Sequence, residues 1–176
     1  MSSAERYKGH DELLECWRTV IGKFAEAQLV IVGGGDDSQR LAAKASELGL
    51  AGSVLFTGFV GDSTLAEIWK RVRVFAMPST GEGFGLVYLQ AMRASLPCIG
   101  STQDAAGDII VNEQTGFLVD RAVTGQLSSS IIRLLENPDL GKRMGAAGKN
   151  RFDAEFTYGR YLARLGPILQ SAFMKS

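Results

Sequence analysis

Little in this sequence of 176 residues points to a membrane, a metal or a nucleic acid. No apolar run approaches the roughly 18 to 20 residues that span a bilayer, and the N-terminus lacks the apolar stretch of a signal peptide. Any membrane contact would therefore be peripheral and made through the full-length protein. Lys plus Arg and Asp plus Glu stand at 19 each. No overall field then attracts nucleic acid or an anionic surface, and any anion site must be local. The two cysteines, Cys16 in a helical pattern and Cys98 in an apolar run, lack metal-ligand spacing. They suit a reducing compartment, with a single disulfide left open, and the cytoplasm is the expected location. His10 is the only histidine. It stands beside a predicted helix start, where a capping or surface role is the ordinary reading, and no chemistry is assigned to it. No repeat, linker or low-complexity tract interrupts the chain.

What is present is ordinary globular material, 45% hydrophobic and 22% charged, enough to close one core. Leu13, Leu14, Trp17, Val20, Ile21 and Phe24 recur at helical spacing and predict an amphipathic helix over 10–27. A β-branched run over 29–32 follows, closed by Gly33, Gly34 and Gly35, with Asp36, Asp37 and Ser38 as helix caps and Gly49 as a stop. The alternation then repeats. Strands are predicted over 54–60, 72–77, 97–100 and 117–119, with helices from about Asp62, Gly83 and Asp104. Apolar strands separated by helices predict an α/β fold, a doubly wound, Rossmann-like parallel sheet covered on both faces. Beyond Asp120 the pattern is helical, with breaks at Pro138 and at Phe156-Thr157. Residues 1–155 are expected to form one domain and 156–176 its C-terminal helix. Tyr158, Tyr161, Leu162, Leu165, Ile168 and Leu169 form an apolar stripe on that helix, suited to core or domain packing.

An open parallel sheet binds ligands outside the carboxyl ends of its strands, where helix N-termini present unpaired N–H groups. Gly33-Gly34-Gly35 lies at such a point but develops no complete Gly-x-Gly-x-x-Gly pattern, so a turn with positive φ explains it better than a dinucleotide. The segment from Pro78 to Leu86 is more informative, because glycines flank both Glu82 and Phe84 at a predicted strand end. The amides of Gly83, Phe84, Gly85 and Leu86 would open the next helix and could cradle a diphosphate, with Glu82 accepting bonds from sugar hydroxyls. A glycine-rich turn with Glu82 solvated or capping fits the same spacing. Gln90, eight positions after Glu82, falls one to two turns into that helix.

The order and spacing of Tyr7-Lys8-Gly9-His10-Asp11, the run from Leu29 to Gly35, Phe56-Thr57-Gly58-Phe59-Val60, the stretch from Pro78 to Leu86, and Thr115-Gly116-Phe117 resemble the C-terminal domain of group 1 retaining glycosyltransferases of the glycosyltransferase B fold. The resemblance covers nearly the whole chain. It implies the donor-binding half of an enzyme that passes a sugar from a nucleoside diphosphate sugar to an acceptor hydroxyl, with no metal and no cofactor beyond the donor itself. Lys8 would contact the diphosphate, a task suited to a flexible ammonium. Glu82 would face the donor sugar as the catalytic carboxylate, Gly83 to Leu86 would supply the amide cradle, and Phe59 and Val60 would line the nucleobase. An apolar strand end filled by core contacts would also explain the last pair. The implied partner is an N-terminal acceptor domain, without which transfer is not expected. A role in polysaccharide or glycan biosynthesis follows in outline.

The sequence departs from that pattern twice. Gln90 stands where the family usually has a second glutamate that holds the ribose; its amide oxygen accepts a hydroxyl proton without a full charge. The family also carries a strand ending in Gly-Arg before the Lys8 motif, and no such strand is found here. Arg6 could substitute for that arginine but reads as a solvated side chain. The expected consequence is that the strands at 29–32 and 72–77 face a gap at the sheet's centre, unless they close on each other or another segment fills it. Loss of an upstream segment is the expected reason for the gap. Two further readings stay open: a binding or assembly domain with a decayed donor site, and a sugar-nucleotide epimerase or phosphorylase of the same fold.

Overall fold

The computed structural model describes residues 3–173, apart from the side chains of Glu5 and of 171–173. A 3₁₀ turn, Ser3–Lys8, leads into α1, His10–Lys23. Strands and helices then alternate: β1 Leu29–Val32, α2 Ser38–Glu47, β2 Val54–Gly58, α3 Asp62–Arg71, β3 Phe75–Met77, α4 Leu86–Arg93, β4 Cys98–Ser101, α5 Ala106–Ile109 and β5 Gly116–Val119. The tail is α6, Gln126–Glu136, α7, Pro138–Arg151, a π-helical turn, Phe152–Phe156, and α8, Tyr158–Phe173. Pro138 opens α7, where its missing N–H costs nothing, and the bend at Thr157 separates α8. Both predicted tail breaks therefore occur.

Every strand pair is parallel, but the sheet is divided. β1 pairs with β2 from Leu29 opposite Val54 to Val32 opposite Gly58. Separately, β3 pairs with β4, and β4 with β5, so that Cys98 lies between Phe75 and Gly116. Among the described residues, no strand is hydrogen-bonded between β1 and β3. A cavity of about 1190 Å³ occupies that position. The two strands have not closed on each other, and Ser3–Lys8 is helical, so it does not supply the central strand. Met1 and Ser2 lie outside the described residues.

Alternation along the strands sends side chains to two layers. On one face, Ile31, Ile99, Phe117 and Val119 pack with Leu14 and Val20 of α1 and Ile131 of α6. On the other, Met77 and Cys98 pack with Tyr88 and Met92 of α4 and Ile109. Packing of α1 on α6 joins the two half-sheets. Several elements differ from the sequence pattern. α1, expected over 10–27, ends at Lys23 with Phe24 as its cap. β2 ends at Gly58, where φ reaches 64°; β3 starts at Phe75, because Val72 still caps α3 through its N–H to Ile68; and α4 starts at Leu86, after Gly85 at φ 74°. Among the described residues, no helix is long and apolar enough to cross a membrane. Cys16 and Cys98 are both free, and burial pushes both thiols up to about 12.

Of the three residues expected to cap α2, the two aspartates do other work. Asp37 precedes the helix but makes no side-chain cap. Its nearly buried carboxylate, 5% exposed, accepts from Arg40 at 2.6 and 2.7 Å and from Arg6 at 3.0 Å. Arg40 also grips Asp11 of α1 with two bonds of 2.8 Å, and Lys44 joins Asp11 to Glu15. Arg6 is thus paired with a carboxylate on the α2 side. Asp36 accepts from the N–H and hydroxyl of Ser3, both at 2.9 Å. The Arg40 hydrogen bonds hold Asp37 down to about 2 and Asp11 well below the usual carboxylate range.

A carboxylate whose folded pKa is depressed stabilises the fold fully above its unfolded pKa of about 3.9 and loses that contribution as pH falls through the folded value. Arg40→Gln should cost about 1.5 to 3 kcal/mol at neutral pH. In urea titrations the gap between variant and parent should narrow as pH drops from about 4 towards 2. A gap independent of pH would show that the lost contribution is packing, not charge.

Candidate functional site

The loop that follows β3 is anchored at each end. Ser79 is fully buried; its N–H reaches Met77 O at 2.8 Å, and its hydroxyl accepts the Gly81 N–H at 3.2 Å. The buried Tyr88 hydroxyl donates to the same Met77 carbonyl at 2.5 Å, tying α4 to the strand end. Gly85 turns the chain into α4 in a left-handed conformation, where a methyl group would meet the Tyr88 ring at 2.7 Å and Ile109 at 3.0 Å. Glu82 is fixed through its backbone, its carbonyl accepting from Ala105 N–H at 3.2 Å.

The segment before α1 docks directly on this loop. Thr80 N–H donates to Tyr7 O at 2.9 Å, and the Tyr7 ring lies against Gly81. Gly9, at φ 81°, comes so close that a methyl group would sit 2.4 Å from Pro78 O. Only a residue without Cβ meets both demands. From the end of β5, Arg121 donates to Thr80 Oγ1 at 3.1 Å and pairs with Glu12 of α1. Four segments distant in sequence thus converge at the carboxyl ends of the strands.

There, Lys8, His10, Glu82, Phe84, Leu86 and Gln90 line one end of the cavity between β1 and β3. Lys8 and Glu82 bring opposite charges to this mouth, and Gln90 brings a neutral amide. Burial, and then neighbouring positive charge that includes Lys8, lowers the His10 pKa below its ordinary value. His10 therefore faces the mouth as a neutral imidazole near pH 7. Because α4 begins at Leu86, Gln90 is its fifth residue, little more than one turn in. Of the amides expected to open this helix, only that of Leu86 lies within it; Gly83, Phe84 and Gly85 form its approach. Gly83 and Gly85 are not part of the cavity wall. Phe59 and Val60 follow β2 at the same sheet edge but also lie outside the wall, and the Phe59 side chain is 89% exposed. Among the described residues, no three His, Cys, Asp or Glu side chains gather as a metal-ligand group.

Sequence reading missed two residues of this region and the placement of a third. Arg121 had a positional signal, standing just beyond a strand's carboxyl end, but its partners Thr80 and Glu12 are remote in sequence. Tyr88 reads as one of several apolar residues on α4, and its bond to Met77 has no sequence signature. His10 was noted, but its place on the cavity wall depends on the docking of Gly9.

Comparison with known proteins gives a consistent result. The family model described as "Glycosyl transferases group 1" matches residues 1–151. A GDP-mannose-dependent alpha-(1-6)-phosphatidylinositol monomannoside mannosyltransferase of Mycobacterium tuberculosis is 31% identical over 170 residues, 93% of this chain and 44% of the relative. A solved sucrose-phosphate synthase from Thermosynechococcus elongatus superposes with a TM-score of 0.87 at 28% identity, over 97% of this chain and 44% of the other. The C-terminal domain of a glycosyl transferase group 1 family protein from Francisella tularensis gives 0.79 at 23% identity, over 90% of this chain and 84% of that one. The chain thus spans under half the length of the first two.

The close approach at Gly9 gives a direct test. Gly9→Ala should lower stability by about 1 to 3 kcal/mol, since neither Pro78 nor the left-handed backbone accommodates the methyl group. Gly22→Ala, where nothing lies within 4 Å of the new Cβ, is the control and should be neutral or slightly stabilising. Equal melting temperatures for the two variants would mean that the Tyr7–Gly9 docking does not hold in solution.

Proposed function

Since this chain belongs to the group 1 glycosyl transferases, we propose that it is the donor-binding half of a retaining enzyme that transfers a sugar from a nucleoside diphosphate sugar to an acceptor hydroxyl. The observation that carries this reading is the meeting of Lys8, Glu82 and Gln90 on one cavity mouth, from segments far apart in the chain. In it, Lys8 and the amides from Gly83 to Leu86 stabilise the charge that builds on the departing diphosphate. Glu82 accepts hydrogen bonds from the donor sugar, and Gln90 meets the ribose with an uncharged acceptor. Phe59, exposed beside the mouth, offers a face to the nucleobase. The donor is the substrate, and the reading needs neither metal nor resident cofactor. A reaction in the cytoplasm, with its intracellular pool of donors, fits the two free thiols.

Acceptor positioning falls to the additional polypeptide that relatives of more than twice this length possess. The exposed Tyr158, Tyr161, Leu162, Ile168 and Leu169 of α8 are suited to packing against it. The relatives' names make GDP-mannose a first donor to try, without deciding the base.

A thermal-shift series with UDP, GDP and ADP and their sugars tests the reading. A nucleotide at 100 times its dissociation constant adds about 2.7 kcal/mol to stability. Lys8→Ala should weaken the effective nucleotide by roughly tenfold to a hundredfold, the loss of one charge-assisted contact. No saturable shift with any nucleotide would favour a binding module whose donor site has decayed, for which Gln90 is the specific support.

A further inference from the structure

An arginine outside the cavity wall is built into the fold with unusual completeness. Arg151 ends α7 with its side chain 25% exposed. Its Nε donates to Ile109 O and its Nη2 to Asp108 O, both at 3.0 Å, while Nη1 meets Glu155 Oε1 at 2.7 Å. The guanidinium also stands 5.3 Å from the centre of the Phe156 ring. Glu155 and Phe156 belong to the π-helical turn after α7. Such a turn closes bonds from i to i+5, which brings both residues back beneath the guanidinium.

The two carbonyls that Arg151 grips are those of the last residues of α5. Carbonyls at a helix end lack an intrahelical partner, and a forked guanidinium satisfies both while it favours the negative end of the helix. The same short segment touches the Glu82 loop twice. Ala105 N–H donates to Glu82 O at 3.2 Å, and the Ile109 side chain lies against Gly85, the left-handed residue that closes the loop. Asp104 braces the segment from its start, its carboxylate accepting the Ala106 N–H at 2.8 Å. Gly81, Gly83 and Phe84, by contrast, are exposed and give Glu82 little support along the chain. The backbone of Glu82 therefore depends on the Ala105 contact, and that contact depends on where α5 is held.

We propose that Arg151 is a positioning residue for Glu82: its clamp on the carboxyl end of α5 holds Ala105 against the Glu82 carbonyl, and so fixes the backbone from which the Glu82 carboxylate reaches the mouth. The proposal rests on the reading of that mouth as a donor site with Glu82 on the sugar. Arg151 itself touches no donor. Without the clamp α5 shifts, and the carboxylate meets the sugar hydroxyls in poorer geometry. Lys8 comes from the segment before α1 and keeps its hold on the diphosphate.

Arg151→Lys tests this in the full chain, because lysine keeps the charge and the Glu155 pair but cannot span two carbonyls. Without ligand, hydrogen exchange at the Ala105 amide should quicken about tenfold in the variant, while that of the Thr102 amide, bonded to Val119 O at 3.0 Å, stays as in the parent. Calorimetry follows with UDP, GDP and ADP and the hexose conjugate of each. The variant should lose about tenfold in affinity for the sugar nucleotide that the parent binds, the size of one charge-assisted bond, and nothing for the free nucleotide. Glu155→Gln, which leaves both carbonyl bonds in place, should match the parent in both measurements. Equal quickening at Ala105 and Thr102, or an equal loss for nucleotide and sugar nucleotide, would make Arg151 a general stabiliser and overturn the proposal. Parent-like behaviour of Arg151→Lys would do the same. A parent that binds no nucleotide, with Ala105 exchange still quickened in the variant, would overturn the donor reading and this role for Arg151 with it, while the clamp itself would stand.

Discussion

The contact on which the arrangement turns is the approach of Gly9 to the carbonyl of Pro78. It brings the start of α1, which covers β1 and β2, against the loop leaving β3, which belongs to the other half-sheet. Among the described residues, no hydrogen-bond ladder crosses between those halves. Where the chains touch, backbone meets backbone, and the Thr80 to Tyr7 hydrogen bond and the Arg121 tie to Thr80 and Glu12 fix the register. The meeting of Lys8 and Glu82 on one wall follows from that docking. Neither side chain is required to hold the other.

Much of this was legible from the residue pattern, because short apolar strands between amphipathic helices have few other solutions. The run at 29–32, closed by glycines, became β1 with the same bounds, and the helix from Asp62 began where expected. Boundaries failed where a local backbone conformation overrode composition. Glycine content placed the start of α4 at Gly83, but it is the left-handed Gly85, wedged against Tyr88, that ends the loop. Val72 and Val74 have strand-like side chains, yet Val72 is consumed in closing α3.

The site was legible as a set of candidates and less so as a shape. Lys8, Glu82, Phe84, Leu86 and Gln90 share one wall, whereas Phe59 and Val60 stand apart from it. The difference is physical: the first five are positioned by the Gly9 and Gly85 turns, and Phe59 lies beyond the end of β2 with its side chain in solvent. Asp37 departs from its expected role as a cap. Its place before a helix suggested a cap, but two arginines supply stronger partners than the backbone would.

The divided sheet also has a mechanical meaning. Within each half, strands are joined by rows of hydrogen bonds that must break together when sheared, so each half behaves as a stiff plate. Between the plates the connections include the chain through α3, side-chain contacts from α1 to α6, the Arg121–Glu12 and Lys23–Glu136 pairs and a small backbone rivet at Gly9. A load drawn across these connections peels the contacts progressively, and the plates part before either one tears.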